Sequence, residues 1–147
     1  MENYVSIEKA VQLTEAAHEC CLRPITKKRI MFSGVKNRGE TIALCSPQSK
    51  FNSAGRYWVD ITLEQYQVLD SYNIALLIIR LEGNRLLLLG WEELKVHLKE
   101  EYVCYNENEQ HHWKLHIYPK YYQVYGSNEK ISKPIFQFVE QSELLPR

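Results

Sequence analysis

Along the N-terminal segment the apolar positions fall three and four apart. Ile7, Ala10, Val11, Leu13, Ala16, Ala17, Cys20 and Cys21 follow Ser6. That spacing sets them on one stripe of an α-helix, opened by Ser6 and stopped by Pro24, although Ser6 and Lys9 do not complete a capping box. From Ile30 the pattern changes. Ile30, Met31, Phe32 and Val35 predict a strand, Lys36-Asn37-Arg38-Gly39 a turn, and Thr41 to Cys45 a second strand, together a hairpin. Gly55 restarts the chain into a β-rich stretch from Arg56 through Ile61. Thr62 then caps a helix carrying Leu63, Tyr66, Val68 and Leu69. The run from Ile74 to Leu81 is apolar almost throughout, which predicts a strand buried on both faces, and Gly83-Asn84 turns it into a partner from Arg85 to Leu89. Residues 91–99 predict a short helix. Tyr102 to Tyr105, His112 to Tyr118 and Tyr121 to Tyr125 predict late strands. Beyond Ser132 the pattern offers Phe136, Phe138, Val139, Leu144 and Leu145 for contact with the domain or another subunit. Strand, helix and buried strand in succession are the ingredients of an α/β core.

Composition narrows the class. With 147 residues, 45% hydrophobic and 24% charged, the chain matches one soluble globular domain and neither a disordered nor a collagen-like one. Its longest apolar runs are too short to span a bilayer, and its N-terminus does not read as a signal peptide, so the expectation is a cytoplasmic protein with no membrane partner. Cys20, Cys21, Cys45 and Cys104 lack C-x-x-C spacing and are expected to be buried, reduced thiols. Net charge is zero, with 18 Lys and Arg against 18 Asp and Glu. A polyanion-binding surface therefore has to come from clustering. Lys27, Lys28, Arg29, Lys36, Arg38, Lys50 and Arg56 supply a cluster, while Glu92, Glu93, Glu100, Glu101, Glu107 and Glu109 lie elsewhere.

Candidate chemistry concentrates between Asn37 and Lys50. Metal-dependent phosphodiester hydrolysis needs hard oxygen ligands for Mg²⁺ and a cation near the attacked phosphate. In Ser46-Pro47-Gln48-Ser49-Lys50, strand alternation points Gln48 and Lys50 the same way. The Gln48 amide oxygen is then a candidate metal ligand, and the Lys50 ammonium a candidate for stabilising transition-state charge or activating water.

The hairpin, Gln48-Ser49-Lys50, Tyr57-Trp58-Val59-Asp60-Ile61, the following helix and the strand from Ile74 resemble a PD-(D/E)XK nuclease core, with Gln in place of the usual acid. Small size and the Gln-x-Lys variant resemble the homing endonucleases of that type encoded in group I introns of cyanobacterial tRNA genes. The resemblance covers residues 5 to 90 best. It implies an α/β restriction-endonuclease-like core, a mixed sheet flanked by helices, over about residues 5–100 of a single 1–147 nuclease domain, with residues 101–147 in oligomer contact. It also implies a Mg²⁺-dependent endonuclease, with Ca²⁺ or Mn²⁺ able to substitute, that makes a double-strand cut as a homotetramer. The family places an Asp where this chain has Asn37. An Asp-to-Asn change that stops cleavage, an inactive relative, or a ligand supplied by Glu40 are the readings, and the first is favoured because Asn keeps the shape while losing the charge. A first-helix acid often completes such sites, which points to Glu8, Gln12 and Glu15 on one helical face, with Gln12 a second acid replaced by its amide. Asn37 and Gln48 are thus the expected metal ligands.

The competing reading is a catalytically inactive nucleic-acid-binding or protein-interaction module on the same fold. Double-stranded DNA is the expected partner, lying along Lys27 to Arg56, with the Lys36–Arg38 turn shaped to enter a major groove. His111, His112 and His116 offer a zinc or general-base alternative, but Trp113, Leu115 and Ile117 alternate with His112, Lys114 and His116 as on a half-buried strand with a polar face. Tyr118, Tyr121, Tyr122 and Tyr125 are expected in the core or an interface rather than as a base-stacking platform.

Overall fold

In the computed structural model, residues 3–106 and 109–139 are described. Helix α1 (Ile7–His18) is followed by strands β1 (Arg23–Pro24), β2 (Met31–Val35), β3 (Thr41–Cys45), β4 (Gln48–Ser49) and β5 (Tyr57–Thr62). Helix α2 (Leu63–Asp70), strands β6 (Ile74–Leu81) and β7 (Arg85–Gly90) and helix α3 (Trp91–Lys95) come next. After one 3₁₀ turn at Glu100–Tyr102 the chain runs through β8 (Cys104–Asn106), β9 (Glu109–Ile117), β10 (Tyr121–Val124), β11 (Ile131–Ser132) and β12 (Phe136–Gln137). The protein is mixed α/β, with a seven-stranded mixed sheet and a five-stranded antiparallel one.

Local chemistry explains most boundaries. The Ser6 hydroxyl accepts from the Lys9 N–H at 3.1 Å and starts α1. The helix ends before Pro24, because Glu19 turns left-handed (φ 52°) and its N–H still reaches the Glu15 carbonyl. The Glu15 carboxylate then takes the Leu22 N–H at 2.8 Å and fixes the exit. At α2 the Thr62 hydroxyl and the Gln65 side chain exchange hydrogen bonds with each other's backbone N–H, a full capping box. Gly83 (φ 95°) and Asn84 (φ 57°) both sit at positive φ, as the tight turn between β6 and β7 requires. Gly34 in β2 answers a different need. A Cβ there would lie 2.2 Å from the Cys21 carbonyl oxygen, so the chain leaving α1 can cross β2 only over a glycine.

The larger sheet has the order β1-β2-β3-β6-β7-β12, with β4 continuing on β6 beyond the end of β3. β3 and β4 run parallel to β6, and the remaining pairs are antiparallel. The smaller sheet is β11-β10-β9-β5, with β8 also on β9. One core joins the two. Ala43, Cys45, Leu77, Ile79, Leu87 and Leu89 of the first sheet pack with Tyr57, Val59, Ile61, Trp113, Leu115 and Tyr122 of the second, closed at the side by Leu69 of α2 and Trp91 of α3. The opposite face of the larger sheet, Ile42, Leu44, Ile78 and Leu86, is covered by Ala10 of α1 with Val5 and Leu22. The layers are therefore helix, sheet, sheet.

This arrangement departs from the expected single mixed sheet in one respect: β5 pairs with β9 in the second sheet. Its burial alternates strictly from Tyr57 to Ile61, which suits an antiparallel sheet with one solvated face. β6, buried at Ala75 and from Leu77 to Leu81, takes the centre of the other sheet. Of the C-terminal apolar residues, Phe136 lies on β12 and Phe138 packs against the α1 side of the core, while Leu144 and Leu145 lie outside the described residues. The cysteines are all free, but only Cys45 is buried, its thiol pushed up to about 12 by burial. Cys21 is exposed because the chain leaves α1 along the surface.

Candidate nucleic-acid interface

Gln48 and Lys50 are both exposed and flank buried Ser49, so the alternation expected of them holds across β4 and the residue after it. Their surroundings are set by Arg80. From near the C-terminal end of β6 its guanidinium donates to the Ser46 carbonyl at 2.9 Å, the Ser46 hydroxyl at 3.0 Å, the Val5 carbonyl at 3.3 Å and the Gln48 amide oxygen at 3.3 Å. The amide oxygen proposed as a metal ligand is thus already an acceptor for a cation.

Asn37 is not brought to this place. Ile42 pairs with Ile74 and Gln48 with Arg80, six residues further along β6 (80 − 74). At about 3.3 Å per residue the two ends are roughly 20 Å apart, and Asn37 lies on the turn beyond the Ile42 end. Helix α1 spans the same gap. Its start adjoins Arg80 through Val5, while Glu15 and Glu19 near its C-terminus line a depression with Asn37, Cys20 and Cys21. Glu8 and Gln12 are exposed on α1, since Ala10 and Thr14 take its buried side. Among the described residues, no group of three or more His, Cys, Asp or Glu side chains is placed to hold a metal ion. The donor set around Gln48 therefore does not fit Mg²⁺, which calls for several hard oxygens.

The basic segment is split in the same way. Lys27, Lys28 and Arg29 precede Met31, which pairs with Cys45, so they share the end of the sheet that carries Lys50. Lys28 is held by Glu64. Lys36 and Arg38 lie at the hairpin end, where the Lys36 ammonium is 3.5 Å from His18 Nδ1. Burial and, less strongly, that ammonium hold the His18 ring below its ordinary pKa. One continuous basic face from Lys27 to Arg56 does not form, because β3 carries its two halves to opposite ends.

Arg56 belongs to a different surface, the outer face of the five-stranded sheet. Strand pairing arranges that face in rows. Trp58 of β5 stands opposite His116 of β9, which stands opposite Gln123 of β10. One row on, Asp60 faces Lys114, whose carbonyl receives the Tyr125 N–H. On the other side Arg56 donates to the Tyr118 hydroxyl at 3.3 Å, and Tyr118 stacks on Tyr121 with ring centroids 4.6 Å apart. His116 lies between Trp58 (6.2 Å) and Tyr125 (5.6 Å). Trp58 is 48% exposed and Tyr125 56%. The Lys114 ammonium sits 4.4 Å from the centre of the Trp58 ring and 2.9 Å from the Asp60 carboxylate. Arg56 has no carboxylate partner among the described residues, and its Nε is buried without a hydrogen bond. Burial, then the charges of Arg56 and Lys114, lower the His116 pKa and keep its ring neutral near pH 7.

The alternation of Trp113, Leu115 and Ile117 inward with Lys114 and His116 outward is as the sequence pattern predicts. His112 departs from it. It is buried, with Nδ1 at 2.8 Å from the Gln110 carbonyl oxygen, and it serves the strand rather than a metal. Of the four tyrosines only Tyr122 is in the core, and Tyr118, Tyr121 and Tyr125 reach the outer face. The signal for this face was the period-two register of β5, β9 and β10 taken together, which only strand pairing reveals. No protein-family model, no curated protein and no solved structure matches this chain.

Proposed function

We propose that this chain is a nucleic-acid-binding module that contacts its ligand through the outer face of the five-stranded sheet. The observation that supports it most is the combination on one face of exposed rings, Trp58 and Tyr125, with a guanidinium, Arg56, that has no carboxylate partner among the described residues. Antiparallel sheets with a solvated face usually carry ordinary polar residues there. A guanidinium without a carboxylate partner is free to take a charged acceptor, and phosphate matches its planar fork. Arg56→Ala is expected to weaken oligonucleotide binding by a similar factor for all sequences and to lower the slope of log affinity against log salt by roughly one unit. Salt-titrated fluorescence anisotropy measures this. An unchanged slope with Arg56→Ala, set against a lowered slope with Lys36→Ala, Arg38→Ala or Lys50→Ala, would move the ligand to the other sheet.

A second reading, Mg²⁺-dependent cleavage of duplex DNA by a homo-oligomer, is favoured by the shared exposed side of Gln48 and Lys50. Incubating plasmid DNA with the chain and Mg²⁺ or Mn²⁺ tests it. Cleavage that disappears on Lys50→Ala supports hydrolysis, and an intact plasmid supports the binding module.

A further inference from the structure

Resting on the binding reading, we infer that the ligand is a single-stranded nucleic acid whose bases stack on Trp58, His116 and Tyr125 while Arg56 and Lys114 hold its phosphates. In a duplex the base faces are covered by their neighbours and only the groove edges are open, so exposed rings that offer their faces for stacking gain little from duplex DNA. In a single strand the faces are free, and stacking on aromatic side chains tolerates any base. Three features of this sheet fit that ligand. Trp58, His116 and Tyr125 make consecutive ring contacts across β5, β9 and the end of β10, at centroid distances of 6.2 and 5.6 Å, a row long enough for more than one base. A neutral His116 ring stacks rather than competing for phosphate. Cations lie among the rings, with Arg56 at one side, the Lys114 ammonium over one face of Trp58 at 4.4 Å while that ring stays 48% exposed, and Lys130 over the Tyr121 ring at 5.3 Å. Asp60 is the one acid in the rows, and it is paired to Lys114.

The other tryptophans, Trp91 and Trp113, are buried, so stacking on this face is read from the Trp58 fluorescence. The probes are oligo-dT and oligo-U of about 15 nucleotides, within the range covered by such surfaces, and a DNA duplex of the same length. Oligo-dT or oligo-U is expected to quench the Trp58 emission and to bind at least about tenfold more tightly than the duplex at equal salt. Trp58→Ala is expected to weaken single-strand binding on the order of tenfold to a hundredfold, with Trp58→Phe keeping most of it and Tyr125→Ala giving an intermediate loss. Because both side chains are exposed, their removal leaves the fold intact, which circular dichroism checks. Equal affinity for single strand and duplex, both weakened by Arg56→Ala and neither by Trp58→Ala, would overturn the single-strand inference and leave nucleic-acid binding standing. Failure of every oligonucleotide to bind would overturn both.

Discussion

Replacing Arg80 by Leu is expected to lower stability by about 3 to 5 kcal/mol, a large share of the roughly 5–15 kcal/mol that holds a domain of this size. Arg80 is 7% exposed near the C-terminal end of β6, and its guanidinium reaches the Ser46 and Val5 carbonyls. Leu fills similar space but donates nothing. Two buried carbonyl oxygens then lose their donor, each at about 1 to 3 kcal/mol, and the Ser46 hydroxyl keeps only its own bond to the Ile78 carbonyl. The same change unties three segments, the entry to α1, the Ser46-Pro47 bend and β4. Urea denaturation checks it, with a midpoint fall of about 2 M expected at a slope near 1.5–2 kcal/mol/M. A midpoint within 0.3 M or so of the parent would mean that water replaces the guanidinium and that the bend is not held as described.

Trp113→Ala is expected to cost a comparable 3 to 5 kcal/mol and to unfold both sheets in one transition. Trp113 is 4% exposed on the inner face of β9, stacked on Tyr66 of α2 at 5.2 Å, with its indole N–H donating to the Lys99 carbonyl at 2.7 Å. Its removal opens a cavity where the second sheet meets α2. Trp113→Phe keeps a ring and gives up the hydrogen bond, and because Lys99 is exposed, water replaces that bond at a cost near 1 kcal/mol. The shared core predicts that far- and near-ultraviolet dichroism lose signal together. A mutant that retains half its strand signal through the first transition would show the sheets to be separate folding units.

Much of the secondary structure was legible because it follows from local period and turn chemistry. The hairpin of β2 and β3, the Thr62 cap, the β6 run and its Gly83-Asn84 turn fall where the pattern places them. The end of α1 did not, since Pro24 looked like the stop while a Glu19 backbone turn and a Glu15 side-chain bond act earlier. The two-residue strands β1, β11 and β12 exist only through their partners and leave no periodic trace.

Sheet membership was the larger gap. Alternation in β5 shows one buried face without saying whose core it meets, and its pairing with β9, some fifty residues on, is non-local. That pairing brings Trp58 and His116 together on one face. Gln48 and Asn37 are close in sequence but separated by the length of β3, whereas Trp58, His116 and Tyr125 are far apart in sequence and become neighbours. The same limit explains the tyrosines. Tyr121 and Tyr122 are adjacent, so strand alternation must send them to opposite faces, and only the partner of β10 decides which face is wet.

Photo-crosslinking tests the central claim most directly. An oligonucleotide carrying a thio-substituted pyrimidine is irradiated in complex with the full chain, and the adducts are mapped by peptide mass. The account predicts adducts at Trp58, His116 and Tyr125 on the outer face of the five-stranded sheet. Adducts confined to Lys27–Arg29, Lys36–Arg38 and Gln48–Lys50, with that face unmarked, would contradict it.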